Sequence, residues 1–156
     1  MDASPGGVER RVFVHASPRV VWSTLLDPDL TDELFPEVRL GPASPGWPAA
    51  ATFRTAQTRI GLLRESARVE SLEARAGSRF RLRLTGSDFD SEWSWVLEPV
   101  AGGTRVIHAA TFDPFDRWTG ILVRIGRASL ASRVEAHLRG LKSHAERPPT
   151  SPHTAA

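Results

Sequence analysis

Residues 79–84 read Arg-Phe-Arg-Leu-Arg-Leu, and no other stretch restricts the fold of this chain so tightly. Charge and hydrocarbon alternate without a slip. Successive side chains of a β-strand point to opposite faces, so the segment meets both water and core only as a half-buried strand. Such a strand needs antiparallel neighbours that share its dry face. Residues 91–97 alternate in the same way and put Trp93, Trp95 and Leu97 on one side. The turn Ala101-Gly102-Gly103 then leads into residues 105–112, which predicts a hairpin. One register among several pairs Leu97 with Val106, setting Glu98 opposite Arg105 on the wet face and Trp95 opposite His108 on the dry one. Upstream, residues 51–57 and 65–71 read as two further strands, with Ala67 and Val69 sharing a face.

Both flanks of this β-run have other periods. Residues 8–15 form a Val-rich strand, after which Ser17-Pro18 supplies an N-cap and a proline at the first helical position. Val21, Trp22 and Leu25 recur at helical spacing until Asp27-Pro28 stops the helix, and residues 30–35 make a second short helix before Pro36. Residues 41–48, rich in Gly and Pro, read as a loop. From 118 to 145 the helical period returns with two apolar stripes, Trp118, Ile121, Leu122 and Ile125 on one side and Val123, Leu130, Val134, Leu138 and Leu141 on the other. A bend near Gly126 would turn both toward one sheet; the competing reading gives the second stripe to a partner subunit. The expectation is that this second stripe packs inside the subunit and the protein is a monomer. Residues 1–7 and 147–156 are rich in Pro, Gly, Ser and Thr, predicting disordered tails around one folded domain at 8–146.

Composition removes several chemistries. The 156 residues contain no Cys and no Tyr, which excludes disulfides, thiolate nucleophiles and Cys-based zinc sites. The pI of about 10.3 looks nucleic-acid-like, yet the net charge is only +2; with a single Lys and no Cys or Tyr, little titrates above the histidines. No nucleic-acid partner is expected. The excess of base lies in residues 117–156, with 7 cations against 2 acids. Contact of that segment with an anionic membrane surface is the lesser reading beside a solvated face. The start Met1-Asp2-Ala3-Ser4 has no basic region followed by an apolar one, and no run approaches a membrane span, so a cytoplasmic protein is expected.

The order strand, two short helices, antiparallel strands and one long helix resembles the START-like superfamily, also called SRPBCC, which holds polyketide cyclases, lipid-transfer domains and birch-pollen-type allergens. The likeness rests on Val14-His15-Ala16-Ser17-Pro18-Arg19-Val20-Val21-Trp22 followed by Asp27-Pro28, on Trp93-Ser94-Trp95 with Leu97-Glu98-Pro99, on Gly103-Thr104-Arg105-Val106, and on Leu141-Lys142. It implies an α+β helix-grip fold, a curved antiparallel sheet wrapped around the C-terminal helix. It further implies a cavity between sheet and helix that admits a hydrophobic small molecule. The superfamily shares no catalytic motif, so the resemblance assigns no reaction.

Within that frame the expected ligand-binding residues are Trp93, Trp95, His108, Thr55, Gln57, Phe53, Ala110, Trp118, Leu122 and Ile125. Trp93 and Trp95 offer indole faces to a flat ligand, or serve as core filler. His108 falls on their face, where an imidazole can polarise a carbonyl or move a proton; the plainer account is a hydrogen-bonded buried histidine. No catalytic residue is assigned beyond His108 as a candidate. Asp113 and Asp116, where the last strand hands over to the long helix, read as capping residues before they read as acid–base groups. Asp88, Asp90 and Glu92 lack the glycine of a calcium loop, and the five histidines show no metal-ligand spacing. No metal and no cofactor are implied. Arg79, Arg81 and Arg83 form a basic stripe that Glu92 and Glu98 can neutralise. The leading function is binding of a hydrophobic or aromatic small molecule, lipid or polyketide-like. The alternative is a polyketide aromatase/cyclase or dehydratase using the same cavity, and a third is an interaction protein pairing through its long helix.

Overall fold

The computed structural model describes residues 7–60, 63–115 and 120–148, and their side chains except at 60, 63 and 120–123. In chain order it contains β1 (Gly7–Val14), α1 (Pro18–Leu25), α2 (Thr31–Leu34), β2 (Val38–Ala43), β3 (Phe53–Ile60), β4 (Leu63–Arg75), β5 (Arg79–Thr85), β6 (Phe89–Val100), β7 (Gly103–Thr111), β8 (Asp113–Pro114) and α3 (Gly120–Ala145). The strands make one curved antiparallel sheet in the order β1-β7-β6-β5-β4-β3-β2, with the two-residue β8 beside β6. The chain is α+β, and the long C-terminal helix lies across the concave face, packed on β1 and β7 with α1 and α2 at its side.

The alternating strands fall as their periods demand. Phe80 and Leu84 of β5 are buried, while Arg81 and Arg83 reach Glu92 at 3.4 and 2.6 Å on the opposite face. Glu73, not Glu98, is the second acid for this stripe, 3.9 Å from both Arg79 and Arg81. Glu98 belongs instead to Arg105, at 3.2 Å. The β6–β7 register pairs Trp95 with His108, Leu97 with Val106 and Glu98 with Arg105, as the patterns anticipate. At the start of α1 the Ser17 hydroxyl accepts from the Val20 amide at 3.4 Å, ahead of Pro18.

On α3 the stripe Leu130, Val134, Leu138 and Leu141 is 0–4% exposed, so each of these side chains contributes roughly 1.5–3 kcal/mol by leaving water. Of the other stripe, Ile125 is 55% exposed, while Trp118 and the side chains of Ile121 and Leu122, like that of Val123 from the buried stripe, lie outside the described residues. The helix runs unbroken through Gly126. That glycine answers to close packing, because a Cβ there would sit 2.9 Å from the Phe112 ring.

Candidate ligand cavity

Between the concave sheet, the α1–β2 segment and α3 lies a cavity of about 310 Å³. Its walls are chiefly hydrocarbon and aromatic: Leu25, Leu26, Phe35, Phe80, Leu82, Trp93 and Trp95. The aromatic rings brace one another. Phe80 stacks on Trp95 at 5.8 Å, and Trp22, Trp47 and Phe35 meet this pair edge-on at 5.8–6.5 Å, the offset geometry that ring quadrupoles favour. At the rim the Arg54 guanidinium donates from Nε and Nη2 to the Gly41 carbonyl at 3.1 and 2.9 Å.

His108 is not in the lining. It is 0% exposed, lies behind Trp95 with rings 4.3 Å apart and 12° from parallel, and begins a chain of hydrogen bonds that ends at the cavity. Its Nδ1 is 2.9 Å from the Ser94 carbonyl oxygen, its Nε2 is 3.1 Å from His137 Nδ1, and His137 Nε2 is 2.5 Å from Glu37 Oε1. A carbonyl only accepts, so His108 carries its proton on Nδ1 and presents a lone pair at Nε2. His137 must then donate from Nδ1. One further proton is needed between His137 Nε2 and Glu37, because an imidazole lone pair facing a bare carboxylate would be repulsive.

Burial pushes the Glu37 carboxyl up, but the hydrogen bond and charge of His137, its own backbone and Arg133 together hold it below the usual carboxylate range. The arrangement is therefore a carboxylate hydrogen-bonded to His137, next to a neutral imidazole at His108. Burial above all, then the charge of His137, pulls His108 down to about 3, against a smaller opposing effect of the Ser94 carbonyl. Glu37 and His137 both line the cavity, and with Thr31 and Arg54 they are the polar side chains of its wall. Neither Glu37 nor His137 was among the expected site residues. Their side chains come from positions 100 residues apart, which no local pattern links, although His137 does fall within the apolar stripe Leu130, Val134, Leu138 at core spacing.

The remaining expected residues divide sharply. Trp93 and Trp95 are in the lining, and Ala110 is 1% exposed on the same inner face of the sheet. Phe53, Thr55 and Gln57 point the other way, so their expected place in the cavity is corrected. Phe53 is 41% exposed with the Arg68 guanidinium 4.2 Å over its ring. Gln57 donates to Ser66 at 2.7 Å on the outer surface, and Thr55 lies over Gly41 of β2. Arg54, Ala56 and Thr58 are the inward residues of β3. Ile125 is likewise directed away from the cavity. Trp118 and the Leu122 side chain fall outside the described residues.

Among solved structures the fold recurs at low identity. The Zhui aromatase/cyclase of Streptomyces sp. R1128 matches with a TM-score of 0.73 at 16% identity, over 93% of this chain and 96% of that one. The di-domain aromatase/cyclase StfQ of the steffimycin biosynthetic pathway matches with a TM-score of 0.72 at 19% identity, over 90% of this chain and 50% of that one. Ara h 8.0201 matches with a TM-score of 0.66 at 13% identity, over 89% and 96%. No sequence relative is found among curated proteins. The sequence itself, however, matches a family model over residues 6–146, and the chain belongs to the polyketide cyclase / dehydrase and lipid transport family.

Proposed function

We propose that this protein binds a hydrophobic, flat small molecule in the cavity under α3. The observation that carries the reading is the 310 Å³ space itself, walled by Phe35, Phe80, Trp93 and Trp95. That is the lower end of the range for small-molecule sites, apolar with a few placed polar groups. Indole faces supply stacking area for a flat ring system, and the largely apolar wall supplies the driving force for transfer from water. Membership of the family and the aromatase/cyclase names among its structural neighbours support this class of ligand.

Titration with 1-naphthol, followed by tryptophan fluorescence, should show saturable binding at one site. Trp95→Ala should abolish it, with a stability cost of about 3–5 kcal/mol if the ring acts chiefly as core. Unsaturable quenching that persists in Trp95→Ala overturns the reading. Native mass spectrometry of the purified protein then identifies any retained ligand.

A second reading, cyclisation or dehydration of a polyketide-like substrate, is favoured by one observation: Glu37 and His137 converge on the cavity wall at 2.5 Å from each other. A paired carboxylate and imidazole can take a proton at one atom and return it at another. The two readings separate in His137→Gln measured on the copurifying ligand. Retained binding with no turnover in either protein leaves the carrier; a wild-type rate that falls by roughly 10²–10⁴-fold makes it an enzyme.

A further inference from the structure

Next to the aromatic cavity is a second hollow, of about 320 Å³, of opposite character. Pro36, Glu37, Arg39, Gln57, Thr58, Arg59 and Arg64 enclose it, and Glu37 is common to both spaces. Strand pairing puts the cations together. Arg59 and Arg64 are directly opposite one another across β3 and β4, and Arg39 is opposite Gln57, one residue-pair along the same face. Like charges directly opposed across strands repel, so the fold alone gains nothing from this placement.

Of the other described arginines, Arg19, Arg68, Arg124, Arg139 and Arg147 also have no carboxylate beside them, but none of these shares the hollow, and six more are neutralised. Arg10, Arg11, Arg75, Arg81, Arg83 and Arg105 each have a carboxylate within 3.4 Å. Among the described residues, Arg39, Arg59 and Arg64 have none. The two acids that could serve them are engaged elsewhere. Glu37 turns inward onto His137, and Glu65 turns to the β5–β6 loop, where its Oε1 accepts from the Ser87 amide, from the Ser87 hydroxyl at 2.6 Å and from the Asp88 amide at 3.1 Å. A fourth cation, Arg133 of α3, donates to the Arg59 carbonyl behind the hollow. The guanidinium is planar, always charged and matched to oxyanions, so three of them left unneutralised around one concavity are a receptor for an anion.

The geometry points to a binding site for a phosphate-class oxyanion formed by Arg39, Arg59 and Arg64. Because Glu37 divides it from the aromatic cavity, the site is placed to take the anionic head of a ligand whose apolar body lies inside; this extension rests on the cavity reading, whereas the anion site does not. Free phosphate and a phosphate head share the same chemistry, and three calorimetric probes separate them: inorganic phosphate, 1-naphthol and 1-naphthyl phosphate.

At low salt, 1-naphthyl phosphate should bind the wild-type protein at least about tenfold more tightly than 1-naphthol, the return expected of charge-assisted hydrogen bonds. The triple variant Arg39→Gln/Arg59→Gln/Arg64→Gln should erase that difference and leave 1-naphthol binding unchanged. Binding of inorganic phosphate that is also lost in the triple variant supports a site that holds the anion by itself. A naphthyl phosphate advantage without phosphate binding supports one that engages only the head of a cavity ligand. If neither naphthyl compound binds but phosphate does, and does so through these arginines, the anion site stands and the cavity reading falls. Equal affinity for the two naphthyl compounds together with no phosphate binding, or an advantage that survives the triple substitution, overturns the proposal. Should the triple variant fail to fold, the single variants Arg39→Gln and Arg64→Gln decide the same question: each should lose part of the advantage, and full retention in both overturns the proposal.

Discussion

His108 and Glu37 are both held away from their ordinary titration by what surrounds them, and in both cases acid is the condition that exposes it. His108 stays neutral in the fold down to about pH 3. Once unfolded it takes up a proton near 6.5, so the stability present above that pH is lost as pH falls from about 6.5 toward 3, at up to about 1.4 kcal/mol per pH unit. Glu37, also shifted down, adds a loss of the same sign below the ordinary carboxylate range. Melting temperature should therefore decline across pH 6.5–4.5 in the wild-type protein and much less in His108→Gln; an unchanged acid limb in that variant would refute the assignment of His108 as the buried neutral imidazole. Glu37→Gln leaves His137 facing an amide in place of a carboxylate, and should cost about 1.5–3 kcal/mol in urea unfolding at neutral pH, the scale of a buried hydrogen bond to a charged group. A loss below about 0.5 kcal/mol would mean the pair behaves as a surface salt bridge. Reading the sequence singled out His108 because it shares a strand face with Trp95 and Val106. Its partners were invisible there, since α3 and the segment before β2 meet only after the sheet has curved.

Strand periodicity located most elements and misjudged two. The β5, β6 and β7 segments carry clean alternation, and even their pairing register follows from matching Glu98 to Arg105 and Leu97 to Val106. In β3 the sequence Phe-Arg-Thr-Ala-Gln-Thr offers one large apolar residue, and taking it as inward flips the whole strand, because a period of two leaves no intermediate error. What fixes β3 is its pairing with β4, Ala56 against Ala67 and Arg54 against Val69. The short edge strand β2 read as loop at Gly41 and Pro42 because proline and glycine interrupt it; an edge tolerates both, and the register does shift between Leu40 and Ala43. On α3 the same close packing that explains Gly126 yields a test. Gly126→Ala gains about 1 kcal/mol of helix propensity, but its methyl would press on the buried Phe112 ring at 2.9 Å, an overpacking that costs about 1–3 kcal/mol. Net destabilisation in chemical denaturation is expected; a stabilised variant would show that the ring yields freely.

As a folded unit the chain uses the apolar stripe of α3 to cover its own sheet. With Leu130, Val134, Leu138 and Leu141 inside, sedimentation should find a monomer, and Leu130→Glu should unfold the protein; a dimer dissolved by that substitution without unfolding would return the stripe to a partner. No helix among the described residues is long and apolar enough to cross a membrane. By itself the sequence determined the order of strands and helices and the β5–β6–β7 faces, because alternation, helical spacing, caps and turns are local and each was written in a few consecutive residues; the helix-grip architecture and its cavity came from the resemblance to the START-like superfamily. The tertiary structure alone decided which side of β3 meets the core, that His137 and Glu37 rather than His108 front the cavity, and that three arginines from separate strands gather unpaired at its edge. Those juxtapositions depend on sheet curvature and on contacts between distant segments, 100 residues apart for Glu37 and His137, where pairing is set by the closing of the whole fold and not by any neighbour along the chain.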